Sequence, residues 1–206
     1  MHDVIDTPAR GPCRAQLLLA HGAGAPMDSD FMDHISDMLA GEGVAVRRFE
    51  FPYMQKRRKD GRKRPPDRAP VLLEAFAGQL QAMPGGQPVL VGGKSMGGRM
   101  ASMLAVEQDV AGVVCLGYPF HPPGKPEKPR VDHFGQLRAP MLICQGERDT
   151  FGTRQEVEAM GLPGTVELAW LADGNHDLKP RKASGRSHDD NLRECARAVG
   201  EFLSRL

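Results

Sequence analysis

Short runs of Val, Ile and Leu alternate along this chain with longer stretches in which apolar residues recur every three to four positions. The strand-length runs lie at residues 16–20, 44–49, 89–91, 113–116, 141–144 and 166–170, each bounded by Gly, Pro or polar residues. Helical spacing marks residues 30–39, 71–83, 96–107, 154–160 and 190–206. The alternation predicts an α/β fold of three layers: a minimal, mostly parallel sheet of about six strands with helices on both faces. In such a sheet functional residues gather beyond the C-terminal ends of the strands. No internal repeat is evident, and the length suits a single domain over residues 1–206.

Two segments depart from the alternation. Residues 56–68 carry eight Lys or Arg against Asp60 and Asp67, a local +6 in a chain whose total is +1. Such a run reads first as a solvated, mobile loop, and second as a patch for an acidic partner. No aromatic residues interleave it, which argues against nucleic acid. Residues 118–129 hold five prolines, which stiffen the segment, forbid a helix and leave little room for a large lid domain.

Composition is that of an ordinary globular chain, with 40% hydrophobic and 26% charged residues. No apolar run approaches the ~18 residues of a membrane span. The first residues lack the basic and apolar regions of a secretory signal, so a cytoplasmic location is expected. Cys13, Cys115, Cys144 and Cys195 are widely spaced and resemble reduced core cysteines, and neither they nor the seven histidines show metal-ligand spacing. No metal or cofactor is implied.

The candidate chemistry centres on residues 89–101, where an apolar strand runs into Gly93-Lys-Ser-Met-Gly97 and then a helix-forming run. A serine on a tight strand-to-helix turn needs small residues two before and two after it, and Gly93 and Gly97 meet that need. Ser95 is then the candidate nucleophile. Gly93-Lys94-Ser95 also copies the end of a phosphate-binding loop. That pattern requires glycine where Pro88 stands, and a loop where the strand runs.

A serine needs a base, and the base needs an acid to fix its tautomer. In this architecture the chain order is Ser, then Asp or Glu, then His, each beyond a strand end. Asp149 follows the run at 141–144. Glu147 is the competing acid, and Asp149 could serve only to cap the next helix. His176 follows the last strand in Asp173-Gly-Asn-His-Asp177, whereas His121 and His133 follow an earlier one and His188 lies near the final helix. The backbone N–H groups of Met96 and Ala23 are the candidate oxyanion donors, Ala23 because residues 22–26 are small enough to let a substrate approach the backbone. A simple turn is the competing reading of that loop, and His21 is expected to hydrogen-bond within it. Lys94, Arg99, Lys179, Arg181 and Lys182 are the cations expected near the mouth, where they would favour a carboxylated or phosphorylated substrate.

Four segments together, Leu19-Ala-His-Gly-Ala-Gly-Ala-Pro-Met27, Arg48-Phe-Glu-Phe-Pro-Tyr-Met54, Gly92-Gly-Lys-Ser-Met-Gly-Gly-Arg-Met100 and Asp173-Gly-Asn-His-Asp-Leu-Lys-Pro-Arg181, resemble the alpha/beta-hydrolase superfamily. More narrowly they resemble its small dienelactone-hydrolase-like branch, which includes the testis-expressed hydrolase-like protein and a subunit of the NSL histone acetyltransferase complex. The resemblance implies a Ser95, Asp149, His176 triad and a serine hydrolase acting on a small acyl substrate. Since some relatives look like scaffolding subunits, it also allows an interaction module that binds a protein or acidic partner through residues 56–68. It implies little room for the superfamily's usual antiparallel strands before residue 16.

Overall fold

The computed structural model describes residues 4–206, so the first three residues of the single-domain expectation lie outside the described residues. Seven strands form one sheet: β1 (Val4–Thr7), β2 (Ala15–Ala20), β3 (Val44–Phe49), β4 (Val89–Lys94), β5 (Gly112–Leu116), β6 (Met141–Gly146) and β7 (Val166–Leu171). Their spatial order is β1-β3-β2-β4-β5-β6-β7, and β2 to β7 are mutually parallel. The six expected strands are therefore present.

The seventh is an addition. β1, the edge strand, pairs antiparallel with β3 in a register that sets Asp6 opposite Arg47, and the two side chains join at 2.7 and 2.9 Å. An opposite-charge cross-strand pair stabilises such an edge. Four residues of mixed polarity carry too little periodicity to announce a strand.

Both faces of the sheet are buried. Along β2, Leu18 and Ala20 join one core and Leu17 and Leu19 the other; along β5, Val113 and Cys115 oppose Val114 and Leu116. The first core is covered by α3 (Ala69–Gln81) and α4 (Met96–Glu107), the second by α1 (Asp30–Gly41) and α6 (His188–Leu203). Period-two alternation with apolar residues on both sides requires helices on both faces. The last helix begins two residues before the expected 190, because Ser187 and Asp190 exchange hydrogen bonds in a capping box. A second box, Thr153 with Glu156, opens α5 (Arg154–Glu158).

The first part of the basic segment, residues 56–60, corrects the expectation of a loop, while 61–68 carry no regular structure. Residues 52–60 form α2 (Pro52–Asp60), with Pro at its first turn, Arg57, Arg58 and Lys59 in its last, and Gly61 at φ 71° closing it. Arg58 bridges the buried Glu50 (2.5 Å) and Asp28 (2.6 Å), which raises the Arg58 pKa, and Arg64 pairs with Asp60. Between β5 and β6, helical structure is limited to a single turn, Phe134–Gln136, so no lid domain is inserted there. All four cysteines are free, three of them buried. Among the described residues no helix is long and apolar enough to cross a membrane. Among the described residues no group of three His, Cys, Asp or Glu could hold a metal ion.

Candidate active site

Ser95 sits where β4 gives way to α4, at φ 52° and ψ −115°. A non-glycine residue there is strained, and the strain is held by close packing on both sides. A Cβ on Gly93 would lie 2.4 Å from the Gly97 carbonyl carbon, and one on Gly97 would lie 2.5 Å from the Ala20 carbonyl oxygen. The two glycines are thus required by the approach of β4, α4 and β2 to one another.

Two strand ends bring partners to this turn. The His176 Nε2 lies 2.7 Å from Ser95 Oγ, and Nδ1 lies 2.7 Å from Asp149 Oδ2. The carboxylate can only accept, so Nδ1 carries the proton and the Nε2 lone pair faces the serine hydroxyl. Asp149 is fully buried, and its oxygens also accept from Gln145 Nε2 (2.9 Å) and the Phe151 N–H (2.8 Å). Phe151 stacks on the His176 ring with centroids 4.2 Å apart and planes 28° apart. Neither Gln145 nor Phe151 stands out in the sequence, although both flank Asp149 within four residues.

The open alternatives resolve geometrically. Glu147 accepts from the Asp173 N–H (2.9 Å) and pairs with Arg154 (3.0 Å), which builds the neighbouring turn and leaves it away from His176. Asp149 does not cap α5, since Thr153 does. His133 Nε2 meets Ser102 Oγ (2.8 Å), His121 Nδ1 meets the Pro122 carbonyl (2.8 Å), and His188 Nε2 meets the Asp177 carbonyl (2.8 Å). None of the three reaches Ser95.

The loop after β2 is held from within. His21 is fully buried; its Nε2 accepts from the Phe51 N–H (3.1 Å), so Nδ1 donates to the Gly22 carbonyl (2.7 Å). Burial lowers its pKa, which keeps this neutral tautomer. Tyr53 Oη donates to the Ala23 carbonyl (2.9 Å) and more weakly to that of Gly22 (3.3 Å), and Arg57 reaches the Gly24 carbonyl (3.1 Å). In a trans peptide the N–H points opposite the preceding C=O. Fixing the Gly22 carbonyl therefore fixes the direction of the Ala23 N–H. Among the described residues, neither that amide nor the Met96 amide at the start of α4 has an internal acceptor.

A cavity of about 310 Å³ opens at Ser95 and His176, lined also by residues 22–25, Phe31, Met32, Lys94, Phe151 and Asp177. Of the five cations expected at the mouth, Lys94 alone lines it. Lys94 is buried, and its Nζ donates to the His176 carbonyl (2.8 Å), pairs with Asp177 (3.2 Å) and lies 5.5 Å over the Phe31 ring. Burial lowers its pKa, and Asp177 opposes that shift. Arg181 is turned to Asp173 (2.5 Å), and Lys179, Lys182 and Arg99 contribute nothing to the cavity wall.

Comparison with known proteins agrees with this architecture. Residues 13–204 match the family model described as an alpha/beta hydrolase domain. Among solved structures, the dienelactone hydrolase of Anabaena variabilis superposes with a TM-score of 0.71 at 20% identity, covering 98% of this chain and 90% of that one. A Xanthomonas campestris structure described as an alpha/beta serine hydrolase without lid gives 0.71 at 17% identity, covering 97% and 88%. A serine hydrolase homologue from Coxiella burnetii gives 0.67 at 18%, covering 98% and 89%. At these identities the likeness is one of fold; the family match spans nearly the whole chain, and the chain belongs to the alpha/beta hydrolase domain family.

Proposed function

We propose that this member of the family is a serine hydrolase that cleaves an ester, thioester or related acyl bond through an acyl-enzyme. The observation that carries the reading is the continuous hydrogen-bonded chain from Ser95 Oγ through His176 to the buried Asp149. Ser95 Oγ attacks the acyl carbon while its proton passes to His176 Nε2, and Asp149 stabilises the imidazolium. The carbonyl oxygen, now anionic, takes hydrogen bonds from the Met96 and Ala23 N–H groups, with the N-terminus of α4 adding its dipole. Collapse breaks the bond to the leaving group, which receives the proton from His176. Water then attacks the acyl-serine with His176 again acting as base, and Ser95 is regenerated.

The apolar lining from Ala23, Ala25, Phe31, Met32 and Phe151 suits a small uncharged acyl group, because the Lys94 charge is already taken by Asp177 and the His176 carbonyl. We read residues 1–206 as one catalytic domain, supported by the family match over 13–204. Three buried free thiols support a reducing, cytoplasmic setting. The competing reading, a module binding an acidic partner through residues 56–68, is weakened because Arg57 is tied to the Gly24 carbonyl, Arg58 to the buried Glu50, and Arg64 to Asp60 of the same segment.

A fluorophosphonate probe tests the proposal. The wild-type protein is expected to label and Ser95→Ala to lose labelling and activity by at least ~10⁴-fold while remaining folded. Equal labelling of a folded Ser95→Ala protein overturns the assignment.

A further inference from the structure

The loop after β2 has little packing to hold it. Ala23, Gly24 and Ala25 are exposed, and a Cβ on Gly24 would meet nothing within 4 Å. Glycines on both sides of Ala23 leave the backbone free to adopt many φ and ψ values. The loop nevertheless lies against the nucleophile, since a Cβ on Gly22 would lie 3.8 Å from the Ser95 Cβ. Something other than packing must fix which way its amides face.

One helix supplies the ties. α2 starts directly after Phe51, whose N–H donates to His21 Nε2 (3.1 Å) and so leaves the His21 Nδ1–H on the Gly22 carbonyl (2.7 Å). Tyr53, in the first turn, places its hydroxyl 2.9 Å from the Ala23 carbonyl and 3.3 Å from that of Gly22. Arg57 stands four residues on, on the same helix face, and donates to the Gly24 carbonyl (3.1 Å). Three consecutive carbonyls are thus held from the side of α2. In a trans peptide the N–H points opposite the carbonyl, so the amides of Ala23, Gly24 and Ala25 are turned away from those donors. Among the described residues none of the three donates to a backbone carbonyl, and residues 22–25 line the cavity at Ser95.

α2 is itself anchored, because Arg58 joins it to the buried Glu50 (2.5 Å) and to Asp28 (2.6 Å), four residues beyond Gly24. Tyr53 is the most buried of its ties to the loop, with its ring centroid 5.8 Å from that of His21. Burial raises the Tyr53 pKa, which keeps the hydroxyl a donor at neutral and mildly alkaline pH.

We propose that Tyr53, with Arg57 one turn on, is a positioning residue for the oxyanion hole, holding the loop so that the Ala23 N–H meets the carbonyl oxygen of a substrate on Ser95. Tyr53 does not line the cavity and acts through the loop alone. Its bearing on catalysis rests on the serine-hydrolase reading; its ordering of the loop does not.

Tyr53→Phe removes the hydroxyl and keeps the ring. In the folded Ser95→Ala protein, the Ala23 and Gly24 amides are expected to show the NMR order parameters of rigid backbone, about 0.85, and to fall clearly below that when Tyr53→Phe is added. Unchanged order overturns the positioning. In the protein with Ser95 intact, Tyr53→Phe is expected to lower kcat/KM for p-nitrophenyl acetate about tenfold or more, since it displaces an oxyanion donor without deleting it.

A trifluoromethyl ketone and the matching methyl ketone separate positioning from general damage. On the first, Ser95 Oγ adds to the carbonyl carbon, its proton passes to His176 Nε2 and the carbonyl oxygen becomes an oxyanion; the second stays trigonal. With Tyr53→Phe the Ki of the trifluoromethyl ketone is expected to rise in step with the loss in kcat/KM while that of the methyl ketone holds. Equal weakening of both, or an unchanged kcat/KM, overturns the proposal. Should Tyr53→Phe fail to fold, Arg57→Met, on the more exposed part of α2, carries the same ketone comparison with an expected loss of about threefold. Full activity in Ser95→Ala would instead sink the serine mechanism, and the order parameters alone would then decide whether Tyr53 holds the loop.

Discussion

The two flanks of Ser95 differ in how their polar groups are satisfied. Toward the loops after β2 and β7, each side chain near the serine has its partner: His21 on Gly22 and Phe51, Lys94 on His176 and Asp177, His176 on Asp149. Toward the first turn of α4 and the segment after β5, Arg99 and Arg130 are part-exposed and make no side-chain hydrogen bond within the protein, with Arg99 Nε buried. A fully connected network holds groups in one geometry before substrate arrives, which is what bond-making chemistry requires. Part-exposed donors that water can satisfy hold nothing in place. Deletions on the first flank should therefore cost rate, and deletions on the second should cost little.

That contrast is open to measurement. The largest effect expected is from Asp149→Asn, which keeps the shape of the network and reverses the proton that fixes the His176 tautomer; kcat should fall ~10³- to 10⁴-fold. A loss below tenfold in steady-state kinetics would mean that the buried carboxylate does not orient the base. Lys94→Met comes next. It cuts the tie between the residue beside Ser95 and the backbone of His176 itself, and kcat should drop about 10- to 100-fold with a smaller change in KM. A rise in KM alone for neutral esters would reassign Lys94 from holding the histidine to binding substrate, with a thermal melt reporting whether the variant is folded.

The smallest effect concerns acid stability on the second flank. His133 keeps its neutral form in the folded protein down to about 4, while the unfolded chain takes up that proton near 6.5. Between those values the unfolded state binds more protons, so stability falls as pH is lowered. His21, also lowered by burial, acts in the same direction. Urea unfolding at pH 7 and pH 5 should show a shallower acid loss for His133→Gln, by up to about one proton in the slope. Parallel curves for the two proteins would show that His133 is not held neutral by its surroundings.

Much of the fold was legible because the strands obey one rule. Apolar runs on a two-face-buried sheet are conspicuous, and their ends located Ser95, Asp149 and His176 to within a turn. β1 and α2 escaped the same reading for opposite reasons. Val4–Thr7 is stabilised by its partner strand rather than by burial, and α2 is basic on most of its surface, with Tyr53 and Met54 alone buried. Glu147 and Asp149 were not separable along the chain, since both follow β6 within three residues. Only the course of the turn sends Asp149 under His176 and Glu147 out to Arg154. Residues 56–68 dominate the charge pattern, yet two of those cations, Arg58 and Arg64, are engaged with Glu50, Asp28 and Asp60, which the charge pattern alone does not reveal.

By itself the sequence determined the α/β order, the elbow at Ser95 and the order of its partners, because these depend on local patterns: period-two burial, glycines at two residues either side, and residues just past strand ends. Tertiary structure alone decided which acid meets the histidine, that His21 fixes the Gly22–Ala23 peptide, and that Lys94 ties the strand ending at Ser95 to the loop of His176. Those are facts about partners distant in sequence, and a charge or hydrogen-bond donor acquires its role only from the atom that folding sets within 3 Å of it, or fails to.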